Sequence, residues 1–156
     1  MDQTALLDHA RALEFIKPIL AAYQAEDVFS PKEKVYLDNP DSTQNEQIQF
    51  AWPYENLWVV EWALGLTGEL PWPDRLCDVS RTVKELEQAV RLRSRQELLD
   101  QADLIYRLCW CCVSARLKGC VAPKDLDEGV VMERHRALFW LAGCGKAEWD
   151  GVDLST

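Results

Sequence analysis

The sequence predicts an all-α protein, an irregular multi-helix bundle around a central hydrophobic helix at about residues 53–66. Apolar residues recur at three- and four-residue steps, Ser-x-x-Glu capping boxes open two of these runs, and glycine or proline closes most of them. No strand alternation, internal repeat or glycine-rich phosphate loop interrupts the pattern.

Leu6, Ala10, Leu13, Ile16, Leu20 and Tyr23 mark one face of an N-terminal helical segment at residues 4–26. Pro18 brings no amide donor to it, so a kink or two abutting helices are expected. Ser30, Pro31 and Glu33 supply the N-cap, first-turn proline and capping-box carboxylate of a short helix ending near Asn39 and Pro40. Residues 41–47 read as a polar loop. The segment at 53–66 carries Leu57, Trp58, Val59, Val60, Trp62, Ala63 and Leu64, apolar on nearly every side, and is therefore placed centrally. Gly68 and the Pro71-Trp72-Pro73 connector end it. Asp78 caps a surface helix with Val79, Val83, Leu86 and Val90 inward. Ser94 and Glu97 form the second capping box and open the longest helix, which runs to Lys118 with Gly119 as its left-handed stop. Asp125, with Glu128 three residues on, starts a last long helix to about Ala142, stopped by Gly143 and Gly145. Gly129 within it costs about 1 kcal/mol relative to alanine.

A chain of 156 residues fits one domain, and its hydrophobic content of 48% is that of an ordinary folded protein. No apolar run approaches the roughly 20 residues that span a bilayer, and Asp2 and Asp8 stand where a signal peptide is basic and then apolar. The expectation is a cytoplasmic protein with no membrane partner. A net charge of -9 excludes phosphate-tracking nucleic-acid binding and leaves a basic protein as the favoured partner class. Six cysteines with no export signal read as reduced thiols, and seven tryptophans read as core.

Charged residues at unusual positions define the candidate site. On the longest helix Glu97, Asp100, Asp103, Arg107, Trp110 and Ser114 follow one stripe, with Asp103 and Arg107 spaced to pair and Trp110 implying partial cover. On the last helix Arg134 and His135 share the apolar band of Val131, Leu138 and Ala142. An arginine there requires a carboxylate, and Glu55 and Glu61 lie on the hydrophobic helix, about 120° apart so that one of them can face solvent. Glu55, Glu61, Asp100, Asp103, Arg107, Arg134 and His135 are thus expected to meet between three helices. They form first a structural ionic lattice around Arg107 and Arg134, and second an acid/base site of Glu61, Asp100 and His135. Metal and cofactor are not expected: Met132, not glutamate, stands three residues before His135, and His9 is isolated. Cys109 and Cys112 have redox spacing but sit deep within a helix, so they read as packing.

The ordered pieces Trp52-Pro53-Tyr54-Glu55, Trp62-Ala63-Leu64-Gly65, Leu70-Pro71 with Pro73, and Arg91-Leu92-Arg93 leading to Glu97-Leu98-Leu99-Asp100 continue into Asp103-Leu104-Ile105-Tyr106-Arg107 with Trp110. Glu133-Arg134-His135, Ala137-Leu138, Trp140 and Trp149-Asp150 complete the set. Over about residues 30–152 the chain resembles the domain-of-unknown-function family 4272, found widely in bacteria. That resemblance implies a helical domain and no established activity. It also implies two departures, since the family pattern carries a histidine at the position of Cys109 and an asparagine at that of Phe139. The sequence therefore reads as a non-enzymatic interaction or regulatory domain, one form being an inhibitor of a basic toxin. The alternative is a small hydrolase-like enzyme using a buried carboxylate and His135.

Overall fold

The computed structural model describes residues 9–39, 41–78, 91–143 and 148–155, and every regular element among them is helical. The surface helix expected after Asp78 and the stop at Gly145 lie outside the described residues. The chain divides into two compact units, residues 1–51 and 52–156.

In the first unit, α1 (His9–Ala22) carries Pro18 inside a single helical element. The short helix α2 (Pro31–Leu37) begins with the expected reciprocal bonds: the Glu33 amide donates to Ser30 Oγ at 3.3 Å, and the Ser30 amide donates to Glu33 Oε2 at 2.8 Å. The expected polar loop at 41–47 is largely helix instead, because α3 spans Gln44–Ala51. Its start is a third capping box, in which the Glu46 amide donates to Thr43 Oγ1 at 3.3 Å and the Thr43 amide donates to Glu46 Oε2 at 2.7 Å. The Tyr36 and Phe50 rings stack between α2 and α3, with centroids 4.0 Å apart.

The second unit contains the buried core. Its long helices are α4 (Tyr54–Ala63), α5 (Arg95–Leu117) and α6 (Glu128–Leu141). Helix α4 is as buried as its composition requires, yet α6 is the element against which both α4 and α5 pack. Helices α5 and α6 run antiparallel, as Arg116 meets Glu128 at one end, Cys109 faces Met132 midway, and Tyr106 stacks on Phe139 beyond. Leu98, Ala102, Ile105, Cys109 and Cys112, at successive steps of three or four, form the buried face of α5. The two cysteines serve as packing in this core. Trp62 is in the core, whereas Trp72, Trp110 and Trp140 are exposed, so the tryptophans divide between core and surface.

Helix α5 ends at the left-handed Gly119, as its sequence predicts, and Gly143 has the same role after α6. The start of α6 differs from expectation. Asp127 is its N-cap, with the Val130 amide donating to Asp127 Oδ1 at 3.1 Å, because Lys124 and Asp125 turn the chain with positive φ two residues earlier. The Asp127 amide also donates to the Pro73 carbonyl at 2.9 Å, tying the proline connector to this turn.

Gly129 has a packing reason. A Cβ there would lie 2.5 and 2.7 Å from ring carbons of Trp52. Gly129→Ala is expected to destabilise by about 1–3 kcal/mol by overpacking, outweighing alanine's better helix propensity of about 1 kcal/mol. A denaturation midpoint that rises instead would show that Trp52 yields without cost.

Candidate functional site

The first turn of α4 directs Glu55 inward, where it accepts from Arg134 Nε at 3.2 Å and from the backbone amide of Cys77. Arg134 Nη1 donates to the Pro71 carbonyl at 2.6 Å, and the guanidinium lies 5.3 Å from the centroid of the Trp58 ring. Glu55 and Arg134 are only 1% and 2% exposed, so this pair is anchored from α4, α6 and the connector between α4 and α5. Arg134 Nη2 has no hydrogen-bond partner among the described residues. Burial pushes the Arg134 pKa down while the Glu55 carboxylate opposes that shift. Burial, followed by the charge of Glu55, drives the Cys77 thiol up to about 12, which makes it a poor nucleophile.

Beside the pair, Asn56 Nδ2 donates to Glu133 Oε2 at 2.9 Å, and Arg136 Nη1 donates to the same oxygen at 3.0 Å. Glu61 is also buried, so both glutamates of α4 point inward instead of one facing solvent. The reason is that α4 is enclosed on nearly all sides. His135 is 0% exposed and lies against the rings of Phe139 and Tyr106, whose centroids are 4.1 and 5.8 Å from its own. Neither of its ring nitrogens has a hydrogen-bond partner among the described residues. Burial lowers its pKa, opposed by the charge of Asp153. Phe139 thus places an apolar ring against this imidazole.

The other three expected members lie elsewhere. Asp100, Asp103 and Arg107 are exposed on the outer side of α5, opposite its buried face. Asp103 and Arg107 pair as their spacing predicts, at 2.8 Å, and Asp100 accepts from Gln96 at 2.7 Å. Trp110 does not cover them, because it is itself 56% exposed. The ionic core therefore contains Arg134 but not Arg107, and the exposed Asp100 stands apart from the buried Glu61 and His135. A cavity of about 60 Å3 reaches Arg134 between the proline connector, α5 and α6, and none of those three residues lines it. Such a volume holds about two waters. Among the described residues no three His, Cys, Asp or Glu side chains gather as a metal site.

Sequence reasoning missed Asn56, which reads as an ordinary helix residue, and the organising role of Arg93. Arg93 donates to the carbonyls of Trp62, Thr67 and Gly68, each at 2.7 Å, and to Glu97 at 3.0 Å, with its guanidinium 4.9 Å from the Trp62 ring centroid. The only sequence signal for it is the Arg91-Leu92-Arg93 motif. No spacing rule links residue 93 to carbonyls 25 or more positions away.

A helical unit built on a buried carboxylate–guanidinium pair defines the class. The chain belongs to the DUF4272 family, described as a domain of unknown function, whose model matches residues 4–152. The match takes in the N-terminal helix as well as the motif-bearing stretch. Comparison with curated proteins and with solved structures gives no match. No helix among the described residues is long and apolar enough to cross a membrane.

Proposed function

We propose that this chain is a non-enzymatic interaction or regulatory domain that works in the cytoplasm and binds a basic protein partner. The observation that carries this reading is the separation of its charges. Buried Glu55 and Arg134 are engaged in holding α4, α6 and the connector together, while acidic side chains such as Asp100 and Asp103 remain outside on a chain of net charge -9. An acidic surface accelerates encounter with a basic partner and weakens with salt. An inhibitor of a basic toxin is one such arrangement.

The hydrolase alternative has one observation in its favour, the unpartnered nitrogens of His135. It requires substrate to reach a side chain that is fully buried. The test is affinity capture from the native cell, followed by reconstitution with the purified partner over a salt series. A basic partner whose affinity falls steeply with salt supports the proposal. A partner that is acidic, or a turnover activity lost on Glu61→Gln, overturns it.

A further inference from the structure

We propose that one flank of α5, about a quarter turn from its buried face, is a self-docking surface on which a second copy of this chain lies antiparallel. Leu99, Tyr106, Trp110 and Leu117 are all exposed, Trp110 by 56% and Leu117 by 78%, and follow one line along the helix at steps of seven, four and seven. Scattered exposed apolar residues are ordinary; four on one helical line, a tryptophan among them, form a packing stripe. At about 1.5 Å per residue the stripe is roughly 27 Å long, and only another helix follows such a line along its whole length.

The order of residues selects the occupant. The stripe reads the same in both directions about position 108, so an antiparallel copy sets Leu99 against Leu117 and Tyr106 against Trp110, twice over. This is the self-complementarity of a two-fold contact. Charge agrees with the apolar pattern. Asp100 near one end and Lys118 just past the other are exposed and stand on the same flank of the line by helical spacing. The two-fold therefore brings Asp100 of each copy beside Lys118 of the other. Asp103 is set opposite Ser114. The two Arg107 side chains approach one another near the axis, each neutralised by the bidentate bonds to its own Asp103, at 2.8 and 3.1 Å.

Sedimentation velocity of the full chain over a concentration series tests the proposal, with circular dichroism monitoring the fold of each variant. The expected result is a reversible monomer–dimer equilibrium that Trp110→Ala weakens by about tenfold or more. Asp100→Lys and Lys118→Asp should each weaken it by opposing like charges, and the double variant should recover the wild-type dissociation constant. Monomer throughout the series overturns the proposal, as does a dimer indifferent to Trp110→Ala. A double variant no better than either single variant also overturns it. None of these outcomes bears on whether a basic partner binds.

Discussion

Glu55→Ala is expected to lower the unfolding free energy by about 3–5 kcal/mol, a large part of the roughly 5–15 kcal/mol that holds a domain of this size together. The loss comes from what the substitution leaves behind. Arg134 remains at 2% exposure with no counter-ion at its Nε, and the Cys77 amide loses its acceptor. The double variant Glu55→Met, Arg134→Met should be less destabilised than Glu55→Ala alone, because two apolar side chains replace an ion pair whose desolvation offsets most of its attraction. Chemical denaturation at neutral pH measures both. Losses that simply add would mean that the two side chains act separately. Asp103→Ala is the natural comparison: it breaks a pair of better geometry on the surface of α5, where water and salt already screen the charges, and its midpoint should barely move.

That contrast marks the limit of what the sequence discloses. Arg107 sits one helical turn from a candidate partner, whereas Arg134 sits on an apolar band. Arg134 is inward because Val131 and Leu138 flank it at steps of three and four, a signal legible in the chain. Arg107 was placed inward only through Trp110, and a single large apolar residue on a polar stripe does not specify cover. Three of the five residues on the buried face of α5, Ala102, Cys109 and Cys112, are small, and periodicity weighs them less than tryptophan. The Ser30 and Ser94 boxes and the Gly119 stop were legible because capping is a contact over three residues. Thr43 and Glu46 have that same spacing and were passed over because no apolar run follows them. The Pro71 carbonyl, the Cys77 amide and the bonds of Arg93 depend on where the connector between α4 and α5 lies, which no local pattern records.

His135 should make the protein less stable as pH falls below about 6.5, the ordinary histidine value, by up to about 1.4 kcal/mol per pH unit. Unfolded chains take up a proton there, whereas burial against two aromatic rings disfavours the charged imidazole in the folded chain. The unfolded state therefore binds more protons over that window, stability is fully present above it, and the loss levels off only below the depressed folded-state pKa. Glu97 and Asp103, whose carboxyls are held low by Ser94 and by Arg107 respectively, add their own loss only as the pH nears the ordinary carboxyl range. His135→Leu should flatten the curve just below about pH 6.5 and leave the carboxyl-driven acid limb unchanged. At neutral pH it should also equal or exceed the wild type, because leucine fills the site without burying nitrogens that have no partner. Thermal melts over a pH series decide this, and a slope that survives the substitution would move the proton uptake to another group. If the leucine variant is more stable yet loses whatever binding or turnover the wild type shows, the imidazole is kept for function at a cost to the fold. If both survive, the ionic core around Glu55 and Arg134 is architecture, and the chemistry of this chain lies on its acidic exterior.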